Sequence, residues 1–356
     1  MKKKNWNECE LVAELGEKKL IEDLINDNLS DNYDDSILSE QKTLILEPLW
    51  NCDQAGFEIL HIMDSEFVDI IDDIFFCFEN GDLENWLDIF NCSIDFIVGA
   101  TRIHTMHTDN RITMEYNLLL NKLMDKNIVK NENEILIPIS FIILLKNAFK
   151  KYTNFSGYGN FLFHYHHVRC FIISKVLRNI KLKVIYRTFL KEIRSSFIKR
   201  NSYISDLPIF GFSIQTDCLF ENNFIKKIKG RHITKLIIIK IISDEQEIMN
   251  VHKINLYLNS NDPISYSMYD NEIIEVNNFG KKYFIIALSP SFKNSKSLST
   301  NLQTGNLDKY GIDLSRIDNI SLEIQDIGDN VEAHVCMIHG YVARCWEGMI
   351  RLAHNW

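Results

Sequence analysis

Apolar positions recur at three- and four-residue intervals through the first 110 residues. The runs "CELVAELGEKKLIEDLIND" and "EFVDIIDDIFFCFENGDLENWLDIFNCSIDFIVGA" carry this spacing, with "ENGD" as a break inside the second. A helix returns every third or fourth side chain to one face, so the pattern predicts a helical N-terminal region over 1–110. From 113 to 140 the spacing changes. A helix from Leu118 to Met124 gives way to a turn at 125–127, a short strand (Ile128, Val129), the polar turn "KNENE" and a returning strand from Ile135 to Ile137. A helix followed by a β-hairpin reads as the end of a winged helix-turn-helix, so 111–150 is expected to be a winged-helix-like segment. Residues 141–200 return to helical spacing.

Beyond Pro208 the pattern becomes that of strands. "LIIIKIIS" (236–243), "INLYLN" (254–259), "ISYSMYD" with "EIIEVNN", and "KYFIIALS" (282–289) each fit one, and "YDNE" at 269–272 predicts a hairpin turn. "LIIIKII" is nearly continuous, which predicts a central strand buried on both faces. Over 317–339 the residues Ile317, Ile320, Ile324, Ile327, Val331, Val335 and Ile338 form one stripe at helical spacing, and Gly340 supplies a left-handed stop. A long closing helix is the expectation there.

Composition narrows the classes. A chain of 356 residues can bury a substantial core, and 46% hydrophobic with 24% charged residues is ordinary for a globular protein. Formal net charge is −9, which argues against nucleic acid as a partner. The charge is uneven: 10–100 is acidic, whereas 146–240 holds most of the basic residues. The eight cysteines include no C-x-x-C pair, so they read as reduced thiols in a cytoplasmic protein. No apolar run reaches the roughly 18 residues of a membrane span.

The order of features in the second half resembles the SagB-type, FMN-dependent dehydrogenases of thiazole- and oxazole-modified peptides, which have the nitroreductase fold. The likeness rests on "ISYSMYDNEIIEV" for a strand pair around a Y-x-Y-d turn. It rests also on "DKYGIDLSR" for a Lys-Tyr-Gly motif with a following Arg316, and on "VEAHVCMIHGYVARCWEG" for a core helix, a glycine (Gly340) and a short strand ending at Gly348. "HHVRCF" matches the family's phosphate motif at Arg169 and Phe171, and "KGRHIT" keeps one glycine, Gly230, of its glycine-rich turn. The resemblance implies an α+β protein: the helical region, the winged-helix-like segment, then a nitroreductase-like α/β sandwich over 151–356.

It also implies chemistry. Azoline oxidation sends a hydride to flavin N5 and a proton to a base, and a Lys-Tyr pair suits the second task because a neighbouring ammonium lowers the pKa of the tyrosine and desolvation lowers that of the lysine. Lys309 and Tyr310 become the catalytic candidates. Arg169, His167, Lys229, Gly230 and Arg344 become the contacts for FMN, with Trp346 close by. The winged-helix-like segment would hold the leader of a precursor peptide as an added strand, and the protein would act as a homodimer or as a subunit of a peptide-modifying complex. Two non-catalytic alternatives stand beside this reading, a flavin-less scaffold of such a complex and an acidic immunity-type protein. His104, His107, His164, His166 and His167 offer imidazoles, but their spacing fits no zinc-finger or metalloprotease pattern, so no metal is expected.

Overall fold

The computed structural model describes residues 39–47, 57–63, 70–79, 93–98, 101–102, 112–139, 166–172, 181–189, 206–220, 225–230, 233–242, 251–259, 262–304, 310–325, 331–346 and 349–353. Alternation governs most of these segments. In "IIDDIFFCFE" the side chains of Ile74, Phe76 and Phe78 are buried, and in "KLKVIY" those of Leu182, Val184 and Tyr186 are. Every second residue points inward, which is the strand period.

In chain order the first half contains β1 (Ser39–Leu46), β2 (Phe57–Met63), β3 (Ile70–Glu79), β4 (Ser93–Val98), β5 (Thr101–Arg102), β6 (Ile112–Thr113), helix α1 (Met114–Leu123), β7 (Val129–Lys130), β8 (Glu134–Pro138), β9 (His166–Ile172) and β10 (Lys181–Phe189). The second half contains β11 (Asp206–Phe220), β12 (Lys226–Ile228), β13 (Ile233–Ile242), β14 (Lys253–Leu258), β15 (Ile264–Ser267), β16 (Ile273–Asn278), β17 (Lys281–Ala287), helix α2 (Ser295–Thr304), β18 (Ile312–Asp313), β19 (Ile320–Gln325), β20 (Val331–Trp346) and β21 (Met349–Ala353).

Four sheets result, two from each half. The first half pairs β1-β10-β3-β8-β7 in one sheet and β2-β9-β4-β5 in the other; the second half pairs β11-β20-β13-β17-β16 and β12-β19-β14-β15. Set aside β6 and β7 in the first half, and β16, β18 and β21 in the second. Each half then reduces to eight strands. In both, one sheet runs first, eighth, third, sixth, and the other runs second, seventh, fourth, fifth. Chain neighbours therefore tend to lie in opposite sheets, and the first strand lies beside the last. That is the jelly roll, an eight-stranded double sheet built from two Greek keys. The chain is two jelly rolls in tandem.

The second roll's core lies between its sheets. Ile237, Ile239, Phe284, Ile286, Val335 and Met337 from one sheet meet Ile254, Leu256, Leu322 and Ile324 from the other.

The expected fold class, α+β with a helical N-terminal region and a nitroreductase-like sandwich, is overturned. Within 1–110 the described residues include β1 to β5, while the run at 9–27 lies outside the described residues. Residues 166–172 and 181–189, expected helical, are strands. The closing helix at 317–339 is replaced by β19 and β20. Its spacing misled because β20 is covered on both faces. Ala333, Val335 and Met337 face the core, Cys336 and Ile338 face the other way, and all five are fully buried. A strand buried on both faces loses its alternation, so Val335 and Ile338 of β20 could be read at a helical interval that continued Ile320 and Ile324 of β19. Gly340 ends no helix. It sits within β20, where a Cβ would stand 2.7 Å from Cε of Lys235.

The turn at 269–272 is present, with Asn271 at φ 58° and Glu272 N–H donating to Ser267 O at 3.0 Å. It joins no hairpin, however: β15 pairs with β14 and β16 pairs with β17, so the chain crosses there from one sheet to the other.

Candidate functional site: the junction of the two jelly rolls

Helix α1 leaves the first roll and lies against the second. Its sequence, "MEYNLLLNKL", places Glu115 in the first turn and Lys122 in the last, each sign favourable to the helix dipole. A left-handed Asp125 (φ 56°) ends it, with Lys126 N–H donating to Asn121 O at 2.7 Å and Asp125 N–H to Lys122 O at 3.2 Å. This pairing closes a helix over its last turn. Nine of the ten residues are buried, and only Lys122 is not. Asn117 and Asn121, one turn apart, both donate to the Pro138 carbonyl at 2.9 Å, which ties α1 to the end of β8.

The face that receives α1 is the outer side of the β13-containing sheet. Leu236, Ile238, Ile274, Ile285, Cys336 and Ile338 lie there, all buried. Lys240 and Tyr283, which are cross-strand partners, are polar groups within this surface. Both reach Glu115. Lys240 Nζ lies 2.9 Å from each carboxylate oxygen, Tyr283 OH donates at 2.6 Å, and Lys281 Nζ approaches to 3.4 Å. Burial pushes the Glu115 carboxyl up, but the Tyr283 and Lys240 hydrogen bonds and the two ammonium charges outweigh it and hold it below the usual carboxylate value. Burial, then the charge of Glu115, drives the Tyr283 hydroxyl far up, so it remains a donor. Burial also raises the neighbouring Tyr116 hydroxyl, which has no hydrogen-bond partner among the described residues. At the rim, Lys122 donates to Asn277 O, and Gln303 of α2 donates to Met124 O at 2.9 Å.

The opposite sheet of the second roll has a different exterior. Lys253, Asn255 and Tyr257 of β14 pair with Gln325, Glu323 and Ser321 of β19, and Ser265 of β15 lies opposite Asn255. Asn255 Nδ2 and Tyr257 OH both donate to Glu323 Oε2, at 2.7 and 2.8 Å, and Ser265 donates to Asn255 Oδ1 at 2.7 Å. One sheet therefore turns an apolar face to α1, and the other turns out a polar ladder.

The groups in the junction hold rather than react. Its carboxylate is saturated by donors. Burial makes the Cys336 thiol a poor nucleophile, as burial and then the Glu134 hydrogen bond make Cys77, pushed up to about 12. Among the described residues no group of three His, Cys, Asp or Glu side chains could hold a metal ion, and no helix is long and apolar enough to cross a membrane.

The residues that sequence reasoning gathered into a flavin site are distributed over the fold. His167 and Arg169 lie on β9 of the first roll, and Arg344 and Trp346 on β20 of the second. Lys229 and Gly230 follow β12, where a Cβ on Gly230 would stand 2.5 Å from Ile320 Cδ1 and 2.7 Å from Leu314 Cβ. Lys309, Gly348, His104 and His107 lie outside the described residues. Tyr310 is exposed, and its carbonyl accepts from Lys235 Nζ. The next residue is Gly311, at φ 149°, and a Cβ there would meet the Thr234 carbonyl at 2.7 Å. The tyrosine-glycine step thus lets the backbone pass close to β13. Arg316 pairs with Asp313 at 3.1 Å. Glu115, Lys240 and Tyr283 escaped notice, although a signal was present: a lysine inside "LIIIKII" needs a buried partner, and an acid just ahead of "YNLLL" is one.

A tandem pair of jelly rolls joined by a buried helix defines the class of architecture. Solved structures of that length are similar to it. VP54 of PBCV-1, fitted into a reconstruction of the virophage Sputnik, aligns over 89% of this chain and 98% of its own, at 11% identity and TM-score 0.55. A quasi-atomic model of the PBCV-1 virus capsid aligns over 89% and 98%, at 10% identity and TM-score 0.52. The Faustovirus major capsid protein aligns over 90% and 92%, at 7% identity and TM-score 0.51. At such identities the likeness is one of fold. No family model matches the chain, and no curated protein matches it in sequence. The resemblance to SagB-type dehydrogenases is therefore corrected: the neighbours are capsid proteins rather than nitroreductase-fold flavoproteins, and the reading as an FMN-dependent oxidoreductase of peptide maturation falls with it. FMN followed from that resemblance, and the leader peptide from it together with the winged-helix-like pattern of 113–138.

Proposed function

We propose that this chain is a structural subunit of a virus shell, built from many copies of itself. The observation that carries this reading is the tandem repeat: two jelly rolls of identical strand order, spanning nearly the full length of capsid chains that share the fold. The junction supports it. A shell subunit must present its contacts in a fixed relation, and a buried helix with a saturated ion pair holds the two rolls together without offering a reacting group. Closed symmetric assembly of identical copies is the common fate of such subunits.

The test is assembly of the purified full chain, followed by sedimentation velocity and negative-stain electron microscopy across salt concentration and pH. Discrete homo-oligomers that convert to regular closed particles are expected. A chain that stays monomeric up to its solubility limit under every condition overturns the proposal.

A further inference from the structure

The sheet β12-β19-β14-β15 ends in two strands that each pair with a single neighbour among the described strands. Both are short, three residues in β12 and four in β15, so side chains more than backbone decide what lies against them. Their charges are opposite. Around β12, residues 225–229 carry Lys226, Lys227 and Lys229 and no acid. Around β15, residues 262–272 carry Asp262, Asp270 and Glu272 and no Lys or Arg. Lys227, Lys229 and all three acids are exposed, as are Ile225 by 47% and Ile264 by 39%. Lys226, Asp262 and Asp270 meet no ion-pair partner among the described residues.

We infer that these edges are the two halves of one contact between copies of this chain, the basic β12 edge of one copy lying against the acidic β15 edge of the next. Within one chain the edges cannot meet. Three strand spacings separate them, about 14 Å, and they face opposite ways. A twofold contact through either edge sets lysines on lysines or carboxylates on carboxylates, so only a head-to-tail relation joins opposites. Strand direction agrees. All three pairings in the sheet are antiparallel, so β12 and β15 run in opposite directions. A second copy set beside the first in the same orientation therefore continues the alternation without turning its inward face out. Height agrees as well. Lys226, Leu322, Leu256 and Ile264 form one row across the sheet. Side by side at equal height, Lys226 stands opposite Ile264 of the next copy, with Asp262 two residues away along the same edge. A slide of two residues brings Lys226 level with Asp262 itself, so the attraction does not hang on a single register. Such a contact repeats from copy to copy and closes into a ring where the rotation allows.

The contact rests on the reading of the chain as a shell subunit, and the experiment separates the two. Sedimentation velocity of the full chain compares the wild type with a β12 reversal, Lys226→Glu with Lys227→Glu, and a β15 reversal, Asp262→Lys with Asp270→Lys. Either reversal gives a chain whose two edges share one sign, and each is expected to sediment as smaller species than the wild type. An equal mixture of the two reversals is expected to regain the larger species, because the untouched acidic edge of one variant meets the untouched basic edge of the other. That recovery also shows that both variants are folded. A reversal that associates as the wild type does, or a mixture that stays small, overturns the inference and leaves the shell reading standing. Association that is lost on reversal and regained on mixing, in a wild-type chain that never reaches closed particles, overturns the shell reading and leaves the contact standing. A wild-type chain that stays monomeric overturns both.

Discussion

Replacing Glu115 with glutamine is the most informative change to the junction. Glutamine keeps the shape and can still accept from Tyr283, but it removes the charge that Lys240 was buried to meet. Lys240 is 7% exposed and has an apolar surface around it, so the variant strands an ammonium in the interior. Breaking a buried pair by removing one partner costs about 3–5 kcal/mol. For a cooperative unit of 150–250 residues each kcal/mol moves Tm by about 2–4 °C, so a fall of about 6–20 °C is expected by differential scanning calorimetry. Replacing both partners with apolar residues, Glu115→Leu with Lys240→Met, removes charge and countercharge together. Such swaps are often neutral or stabilising by about 1–4 kcal/mol, so the double variant should recover most of the loss. A Tm for Glu115→Gln within 1 °C of wild type refutes the reasoning. So does a double variant whose loss equals the sum of the two single losses.

Other outcomes follow from the same geometry. The Glu115 carboxyl titrates below its ordinary value of 4.5, so the stability it contributes is complete above that pH and is lost as pH falls through the depressed folded value. Thermal scans should therefore show an added loss below about pH 4.5 that is missing from Glu115→Gln. Cys77, pushed up to about 12, and Cys336 should resist iodoacetamide at pH 8 in the native protein and react once it is denatured; peptide mass spectrometry decides, and native labelling of either would contradict their burial. Gly230→Ala should lose about 1–3 kcal/mol in denaturant titration, since the new methyl overpacks against Ile320 and Leu314.

Part of this was legible in the sequence. "LIIIKII" announced a strand covered on both faces, and β13 is one, because α1 lies over the side that an antiparallel sheet usually leaves to water. The helix and hairpin at 113–138 also stand where the spacing put them, as α1, β7 and β8. What a local pattern cannot convey is the company an element keeps. The same hairpin read as a wing belongs to a jelly-roll sheet, since β8 pairs with β3, more than fifty residues earlier. "ISYSMYDNEIIEV" reads as a hairpin until the pairing sends its halves to different sheets. The repeat of the jelly roll was invisible because it is a repeat of strand order alone. The junction was hidden for another reason: Glu115 and Lys240 are 125 residues apart, and their meeting depends on both rolls being formed.

The covered face of β13 and its neighbours also has a consequence in time. A ribosome delivers the first roll before the second, and domains generally fold as they emerge. Helix α1 is therefore made before Leu236, Ile238, Ile285, Cys336 and Ile338, the residues it will cover, have left the exit tunnel. The second roll is born beside its own lid. Made without residues 1–190, it would present that apolar sheet to its own kind during synthesis, a surface of the sort that drives aggregation. The order of the halves along the gene thus acts as a built-in chaperone, and swapping them by circular permutation would forfeit it while leaving the finished contacts unchanged.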